Sequence, residues 1–479
     1  MLRLYDTATE RVRELVPNEG GVIGLYVCGP TVYGPPHVGH GRLALVFDVL
    51  RRYLEHRGMV VRHVSNVTDV DDKIIDRARD ERRPWQAVAE EAEAQWWSAM
   101  EDLSVLRPHE TPHATAYVEQ MVHLVGELLG RGAAYWAPDG VYLSVARIDG
   151  YGLLAHQDLD KLREGERVRE TAGKRSPLDF ALWKAAKPGE PSWPSPFGNG
   201  RPGWHTECVV MSLALLGEGF SLHGGGNDLV FPHHENERAQ AVAIGSTFAR
   251  HWMHNGLVEA GGEKMSKSLG NYLTLADLVE GGADPRAYRL LVLRARYRSP
   301  LEVTAELLGE AGRAVRRLDD LAVRLGALGP RAHRPGGEVG GAGGEGGEGD
   351  GPADGRSPLA AAGDLDDRFQ AAMDDDLDTA GAVAELFDGL REANKLLDAG
   401  DAAGGAALGE RLLSCFSALG LGTRDPLADV PDEAVEALAR RRDAARAAGD
   451  YSAADAARDE IEERGWRVED TPTGTRLRR

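Results

Sequence analysis

Residues 21–64 read GVIGLYVCGPTVYGPPHVGHGRLALVFDVLRRYLEHRGMVVRHV. The apolar run at 21–27 predicts a short buried strand, and the loop after it is rich in Gly and Pro. Apolar residues then recur every three or four positions up to Gly58, which predicts a helix, and 59–64 predicts a second strand. Such a βαβ unit binds its ligands beyond the carboxyl ends of the strands, where the helix begins. The loop at 28–42 is therefore the expected place for chemistry.

Composition sets the class of protein. The chain has 479 residues, of which 42% are hydrophobic and 28% charged, and a chain this long is expected to form about three to four domains. Asp6 and Glu10 interrupt any signal peptide, and no apolar run reaches the roughly 20 residues of a membrane span. We therefore expect a cytoplasmic protein. The formal charge of −20 excludes indiscriminate nucleic-acid binding through a basic surface and confines any RNA contact to local grooves.

The later chain has three further features. A second strand and helix are expected at 219–245, and residues 251–275 predict a hairpin or strand that ends in a Gly-rich mobile loop. Beyond 285 the pattern is helical. The segment from Pro335 to Pro358 consists almost entirely of Gly, Glu, Asp and Pro, so it cannot bury enough apolar surface to order and is expected to be disordered.

Two short motifs carry candidate chemistry. His37 and His40 flank Gly39 where the loop enters the first helix, so imidazole donors and helix amides converge on a point that suits an anion. About 225 residues later, Lys264 and Lys267 lie in the stretch KMSKS after two glycines, where a mobile loop could bring two cations to a phosphoryl group. Taken singly, each motif has an alternative interpretation, as a helix cap or as a solvated basic turn.

The pair of motifs resembles the two signatures of class I aminoacyl-tRNA synthetases. The resemblance implies that His37, Gly39, His40, Lys264 and Lys267 embrace ATP, taken with Mg²⁺, and that Lys267 stabilises the departing pyrophosphate as an aminoacyl adenylate forms. Val38 stands where Ile is common in that family, which is a conservative change.

A second group of residues offers metal ligands. There are three cysteines, Cys28, Cys208 and Cys415, a sparse, odd set that does not suggest a disulfide framework. Cys28 and Cys208, with His233 and Glu237 four positions apart on one helical face, make a plausible zinc set because zinc accepts S, N and O donors. Alternatively, the cysteines are small buried hydrophobes and PHHENE is a polar helix start.

The stretches YVCGPTVYGPPHVGH, NVTDVDDKIIDRA, GWHTEC, HGGGNDLVFPHHENE and EDTPTGTR resemble the cysteinyl-tRNA synthetases. The resemblance implies that Cys28, Cys208, His233 and Glu237 hold one Zn²⁺, which the substrate thiolate of L-cysteine joins. It further implies an amino-acid pocket lined by Gly29, Thr68 and Trp204 and an Asp228 that faces the adenylate.

One more stretch resembles a family feature. The stretch KIIDR at 73–77 resembles a KIIxR motif linked in the family to a pyridoxal-phosphate-dependent persulfide activity. A helix with a solvated Lys73 is the alternative interpretation.

The resemblance also implies an architecture. We expect an α/β fold with a Rossmann-like parallel-sheet catalytic domain that carries an insertion, followed by an α-helical bundle and a small C-terminal anticodon-binding domain. The expected segments are 1–255 with the insertion at about 120–200, a signature-loop and stem-contact domain at 256–315, the bundle at 316–430 including the disordered 335–358, and the anticodon-binding domain at 431–479. The expected partners are tRNA(Cys), L-cysteine and ATP, with no membrane, and the expected state is a monomer.

Three other functions remain open at this point. A ligase of similar core joins activated cysteine to an amino sugar in mycothiol synthesis, but such ligases lack the C-terminal extension seen here at 435–479. A catalytically dead paralogue that senses tRNA or cysteine would not need intact motifs. A zinc hydrolase would leave KMSKS unexplained. Leu477 replaces an aromatic residue that is common near the family's C-terminus, so the anticodon contacts stay open.

Overall fold

The computed structural model describes residues 1–18, 20–156, 173–260, 263–264, 273–327, 358–423, 433–464, 466–471 and 474–478. The strands in chain order are β1 (Arg3–Asp6), β2 (Arg11–Glu14), β3 (Val22–Val27), β4 (Val60–Ser65), β5 (Ala134–Ala137), β6 (Gly140–Leu143), β7 (Phe180–Ala185), β8 (Gly200–Pro202), β9 (Leu222–Gly226), β10 (Trp252–Asn255), β11 (Val258–Ala260), β12 (Glu263–Lys264), β13 (Leu301–Glu302), β14 (Arg467–Thr471) and β15 (Gly474–Arg478).

The helices are α1 (Val38–His56), α2 (Asp72–Glu81), α3 (Trp85–Asp102), α4 (Val118–Gly130), α5 (Trp204–Leu216), α6 (Glu235–Ala243), α7 (Leu275–Glu280), α8 (Pro285–Leu293), α9 (Ala305–Ala327), α10 (Pro358–Asp374), α11 (Thr379–Asp398), α12 (Ala402–Ala418), α13 (Glu433–Ala447) and α14 (Tyr451–Glu463). Within the described residues, no helix has an apolar stretch long enough to cross a membrane.

A four-stranded parallel sheet in the order β10-β9-β3-β4 lies at the centre of the fold. β3 is almost wholly buried and packs beneath α1, whose apolar residues face inward. α1 ends at Arg57, and Gly58 has a φ of 75°, a left-handed conformation that glycine adopts without the steric penalty of a Cβ. The parallel sheet and its first βαβ unit confirm the expected fold class.

Two smaller sheets accompany the parallel sheet, one between β4 and β9 in sequence and the other after β10. β5 to β8 form an antiparallel sheet, and its core residues pack with α4 and α5. β11 pairs in parallel with β13 and antiparallel with β12, where Glu259 lies opposite Lys264. The backbone of Lys264 is thus in a strand. The predicted mobile loop around Lys267 lies outside the described residues, as does most of the predicted disordered segment 335–358.

The chain forms two compact units, the first comprising Met1–Val315, Ala360–Gly389 and Ser414–Leu421 and the second comprising Arg316–Leu359, Leu390–Leu413 and Gly422–Arg479. Within the second unit, α13 and α14 are separated by Gly449 and Asp450, and they pack with the hairpin β14-β15. Five buried residues form the small core of this part of the chain: Val435, Leu438, Ala439, Ile461 and Trp466. The four predicted domain segments stay a proposal.

Candidate active site and metal centre

Several chain segments meet at the carboxyl edge of the parallel sheet. β3 ends at Val27, so Cys28 is the first residue beyond the strand. α5 brings Cys208 to the same place, and a single π-helical turn, Val230–His234, leads into α6 and brings His233 and Glu237. His233 was expected on the same helix as Glu237, but α6 begins at Glu235, two residues after His233. His233 Nε2 still lies 2.9 Å from Glu237 Oε1.

The four predicted metal ligands form one buried cluster. One donor atom from each of Cys28, Cys208, His233 and Glu237 lies within 4.8 Å of all the others. The two Sγ atoms are 3.6 Å apart, Cys208 Sγ is 3.6 Å from His233 Nε2, and Cys28 Sγ is 3.4 Å from Glu237 Oε1. None of these residues is more than 3% exposed.

These separations fit a tetrahedral cation. Bonds of about 2.3 Å to sulfur and about 2.0 Å to nitrogen or oxygen place two sulfurs about 3.8 Å apart and a sulfur about 3.5 Å from nitrogen or oxygen. The measured S···S, S···N and S···O distances of 3.6, 3.6 and 3.4 Å agree. The residues present are therefore compatible with a metal site.

A second donor set shares two residues with the first. Cys28, His223, His234 and Glu237 also lie within 4.8 Å of one another and are buried. His234 Nε2 is 3.3 Å and His223 Nε2 is 3.6 Å from Cys28 Sγ, while His223 Nε2 is 3.0 Å from Glu237 Oε2. Neither histidine was predicted as a ligand from the sequence. The signal for His223 was present in LHGGG and that for His234 in HHENE, but neither has a spacing that marks a ligand.

The buried acid groups of the cluster shift one another's pKa values. Burial opposes ionisation of the Cys208 thiol, but hydrogen bonds with Cys28 and His233 lower its pKa to about 6. Burial and the neighbouring Cys208 raise the pKa of Cys28 well above its ordinary value. Two thiols in contact thus share one negative charge. Burial opposes ionisation of the Glu237 carboxyl, but the neighbouring His223 and His233 outweigh it and hold its pKa well below the usual range.

The ring of His233 also contacts two side chains outside the cluster, His205 and Trp204. Its Nδ1 lies 2.9 Å from Nδ1 of His205, and its ring stacks on Trp204 with centroids 4.0 Å apart and planes inclined by 22°. Because Nδ1 is engaged, Nε2 points at Cys208 and Glu237. Burial, followed by the charge of His233, lowers the pKa of His205 well below its ordinary value, so that ring stays neutral.

The two signature histidines cap α1 reciprocally. The His40 amide donates to His37 Nδ1 at 3.4 Å and the His37 amide donates to His40 Nδ1 at 3.3 Å, while the rings stack with centroids 3.7 Å apart. Since each Nδ1 accepts, a neutral ring carries its proton on Nε2 and presents that N–H as a donor. A Cβ on Gly39 would lie 2.8 Å from His37 Cε1, so glycine is required for this stacking.

A cleft of about 300 Å³ joins the histidines to the cluster. The residues that line it are Cys28, Gly29, Pro30, Thr31, Tyr33, His37, Gly39, His40, Leu43, Lys73, Trp96, Trp204, Gly226, Asp228, Leu229, Asn255, Gly256, Leu257 and Val258. A larger open depression of about 870 Å³ lies beside α4 and α5 and contains none of the predicted site residues. The cleft is therefore the candidate active site.

The predicted site residues divide into three groups. Gly29, Trp204 and Asp228 line the cleft with the two histidines. Thr68 does not line it; it is 1% exposed, and its hydroxyl donates to Glu207 Oε2 at 2.7 Å. The Lys264 side chain and all of Lys267 lie outside the described part of the chain.

Two polar residues beneath the cleft were also missed. The Asn66 side chain accepts a hydrogen bond from the Gly29 amide at 2.9 Å and donates one to Thr68 Oγ1 at 3.2 Å. Burial raises the pKa of Glu207 well above its ordinary value. Both residues lie in stretches quoted above, NVTDVDD and GWHTEC, but no spacing singled them out from ordinary polar positions.

Comparison with known proteins decides the family. Residues 14–313 match the family model of the class I (C) tRNA synthetase catalytic domain, and residues 368–423 match the DALR domain. The chain is 42% identical to the cysteine–tRNA ligase of Halorhodospira halophila over 100% of both chains. It is 40% identical to that of Streptomyces coelicolor, over 99% of this chain and 75% of the relative. The chain belongs to the cysteine–tRNA ligase family.

Solved structures of other class I synthetases share the fold of this cysteine–tRNA ligase family member. Mycobacterium tuberculosis methionyl-tRNA synthetase in complex with methionyl-adenylate aligns with a TM-score of 0.59 at 16% identity, covering 84% of this chain and 90% of the other. A ternary complex of Agrobacterium radiobacter LeuRS with tRNA and LeuAMS aligns with a TM-score of 0.60 at 11% identity, covering 85% and 84%. At these identities the likeness concerns the fold alone.

Proposed function

We propose that this protein activates L-cysteine with ATP, forming cysteinyl adenylate and pyrophosphate, and then transfers cysteine to the 3′ end of tRNA(Cys). One observation carries the proposal. A buried cluster containing two thiols reaches the candidate cleft through Cys28, and the same cleft is lined by the stacked His37 and His40. A sulfur-binding end and an anion-binding end in one cleft suit the joining of cysteine to a nucleotide.

We assign Cys28, Cys208, His233 and Glu237 as ligands of one Zn²⁺. When bound, Zn²⁺ would supply an additional soft coordination position that prefers a thiolate to a hydroxyl. Serine is nearly isosteric with cysteine, and an apolar pocket separates such pairs by only about 10- to 200-fold. The second donor set contains one thiol instead of two, so the two-thiol set is the better match to a cation that prefers sulfur.

At the opposite end of the cleft, His37 and His40 would bind phosphate oxygens of ATP, taken with Mg²⁺. Their Nε2–H groups would supply donors without a fixed charge, whereas the amides of Val38 and His40 already donate to the Leu273 carbonyl and to His37 Nδ1. Gly39 permits close approach of the nucleotide, and Asp228 would bind the adenylate. Lys264 and Lys267 would neutralise charge on the departing pyrophosphate.

Between these ends, Gly29, Thr68 and Trp204 would hold the amino acid. Gly29 has no room for a side chain, since a Cβ would lie 1.7 Å from the Asn66 carbonyl oxygen. Trp204 lines the cleft and stacks on the ring of His233. Thr68 is buried beneath the cleft and would act through Asn66, which donates to the Thr68 hydroxyl and accepts a hydrogen bond from the Gly29 amide.

The family match supports tRNA, cysteine and ATP as partners. We place tRNA recognition in the DALR match at 368–423 and in the part at 431–479. We retain 1–255, 256–315, 316–430 and 431–479 as the working domain division. We further propose a monomer in the cytoplasm, where charged tRNA is used for translation.

One assay tests the proposed function against its rivals. Purified protein is offered cysteine or serine, with either bulk tRNA or the amino sugar of mycothiol synthesis as the acceptor. We expect cysteine to be joined to tRNA, with serine and the amino sugar inactive. Joining to the sugar would identify the other ligase, and binding without adenylate formation would identify a sensor. Metal-dependent hydrolysis without ATP consumption would indicate a hydrolase.

A further inference from the structure

Arg42 is a buried arginine that serves backbone carbonyls. It lies on α1, five residues after His37, and is 1% exposed. Nη1 donates to the Leu257 carbonyl at 2.8 Å, and Nη2 donates to those of Tyr297 at 3.2 Å, Arg296 at 3.4 Å and Ser299. In the described part of the chain Arg42 has no ion pair with a carboxylate. Burial lowers its pKa to about 10, so it is charged at neutral pH.

The carbonyls that Arg42 binds precede two paired strands. Leu257 comes immediately before β11, and Ser299 comes two residues before β13. The same segments also bond directly, through the Gly256 amide to the Tyr297 carbonyl at 2.8 Å and the Leu301 amide to the Leu257 carbonyl at 3.0 Å. Arg42 therefore fastens the start of the β11-β13 pair to α1.

This attachment affects both walls of the cleft. Leu257 and Val258 line the cleft on one side, while His37, Gly39 and His40 line it from α1. β11 also pairs with β12, which contains the backbone of Lys264. Arg42 thus links α1, the helix that begins at HVGH, to the residue that precedes β11, and β11 in turn pairs with the backbone of Lys264.

A second attachment lies on the other side of the KMSKS segment. The Val38 amide donates to the Leu273 carbonyl at 3.0 Å, and the Leu275 amide donates to the Pro36 carbonyl at 3.0 Å. The chain is therefore fixed to the start of α1 after this segment and to Arg42 before it. The contacts after the segment are backbone hydrogen bonds, whereas the contact before it is made by the Arg42 side chain and can be removed by mutation.

We propose that Arg42 is a positioning residue for adenylate formation, which holds the wall at 256–258 and the strand pair with Lys264 in register with His37 and His40. A planar guanidinium donates to several carbonyls in fixed directions, which a lysine ammonium cannot reproduce. A misplacement of about 1 Å in a reacting constellation can lower a rate by about 100-fold. The Arg42 hydrogen bonds go to the carbonyls of residues 257, 296, 297 and 299 and not to the metal cluster, Gly29 or Trp204. Its effect should therefore be specific to the nucleotide end.

The experiment compares Arg42→Met and Arg42→Lys with wild type. Arg51→Met is the matched control, because Arg51 also lies on α1 and donates to a backbone carbonyl, that of Arg107, at 2.7 Å. Cysteine-dependent ATP–pyrophosphate exchange gives kcat and separate KM values for ATP and cysteine. Zinc content and thermal unfolding are measured on the same samples.

We expect Arg42→Met to lower kcat by at least about tenfold and to raise the KM for ATP. The KM for cysteine and the zinc content should stay within about twofold of wild type, a split that general damage to the fold would not give. Arg42→Lys should fall between the two proteins, and Arg51→Met should match wild type. If Arg42→Met does not fold, Arg42→Lys must show the same split.

Wild-type kinetics in the Arg42 variants would overturn the inference, as would an equal rise in the KM values for ATP and cysteine. The inference rests on the proposed function, but the two fail differently. Absence of cysteine-dependent exchange in the wild type would reject the function. Active wild type with unaffected Arg42 variants would reject only the role of Arg42.

Discussion

The Sγ atoms of Cys28 and Cys208 lie 3.6 Å apart although 180 positions separate the residues in the chain. Cys28 follows a strand of the parallel sheet, and Cys208 lies on a helix that the chain reaches only after the antiparallel sheet. Neither thiol is in a disulfide. Two reduced, buried thiols in contact need a positive charge to ionise together, and a divalent cation supplies it.

Cys28→Ser should therefore weaken metal binding and cysteine activation together. Loss of a metal ligand should lower the metal affinity by at least about tenfold, because loss of an outer-shell partner already has an effect of that size. Zinc content by atomic absorption and the KM for cysteine in pyrophosphate exchange are the measurements. Cys415→Ser is the matched control, since Cys415 is also buried but lies on α12. Normal exchange in a zinc-free Cys28→Ser protein would contradict the assignment.

Lys267→Ala should slow adenylate formation by about 100- to 1,000-fold, the usual effect of losing one donor to a transition state. Cysteine affinity should change little, because that end of the cleft is left intact. Single-turnover activation measures the step. Lys187→Ala, which removes a lysine whose side chain is 69% exposed, is the control. An unchanged single-turnover rate would reject the role of Lys267.

Arg289→Met should destabilise the first unit by about 3–5 kcal/mol. Arg289 and Asp48 are both 0% exposed and lie 2.7 Å apart, so among the described residues the substitution leaves the buried carboxylate with Arg52 alone as an ionic partner. Urea unfolding gives the free energy. Arg62→Met, in the exposed pair with Glu110, should cost less than about 1 kcal/mol. Equal costs for the two variants would show that burial does not decide the strength of the Asp48 pair.

His63→Phe should reduce the loss of stability in acid. Burial lowers the pKa of His63 to about 3, and within the described chain neither ring nitrogen has a hydrogen-bond partner. Because the unfolded chain takes up a proton near pH 6.5 and the folded chain does not, His63 lowers stability as pH falls from about 6.5 towards 3. Between pH 7 and 5 the wild type should lose about 2 kcal/mol more than the variant. Parallel pH profiles in urea unfolding would refute this account.

Deleting Val435 to Arg479 should reduce tRNA charging far more than adenylate formation. α13, α14 and the hairpin β14-β15 have a hydrophobic core of their own, so their removal should leave the cleft intact. Charging and pyrophosphate exchange are measured on the same truncated protein, with zinc content as the control for the metal centre. Equal losses in both activities would argue against an RNA-binding role for this part of the chain.

Local patterns predicted those parts of the fold that local forces decide. The βαβ unit at 21–64 followed from apolar runs and helical periodicity, and its strands are found within one residue of the predicted limits. The helix begins at Val38, inside the loop predicted at 28–42, because the cap formed by His37 and His40 starts it earlier than its apolar periodicity does. The break between α13 and α14 is likewise local, because it lies at Gly449, whose φ is 72°. The spacing of His233 and Glu237 predicted their proximity, although His233 lies in a π turn and not in regular helix.

The sequence by itself determined the parallel-sheet class, the two signature motifs and a candidate set of four ligands, because residue types, short motifs and the resemblance to a known family carry them. Only the tertiary structure decided that His223 and His234 join the cluster, that Thr68 lies beneath the cleft and that Arg42 binds carbonyls about 215 to 257 positions away. These relationships depend on which strand edges and helix faces are brought together. That is settled by packing of the whole core, and no spacing along the chain records it.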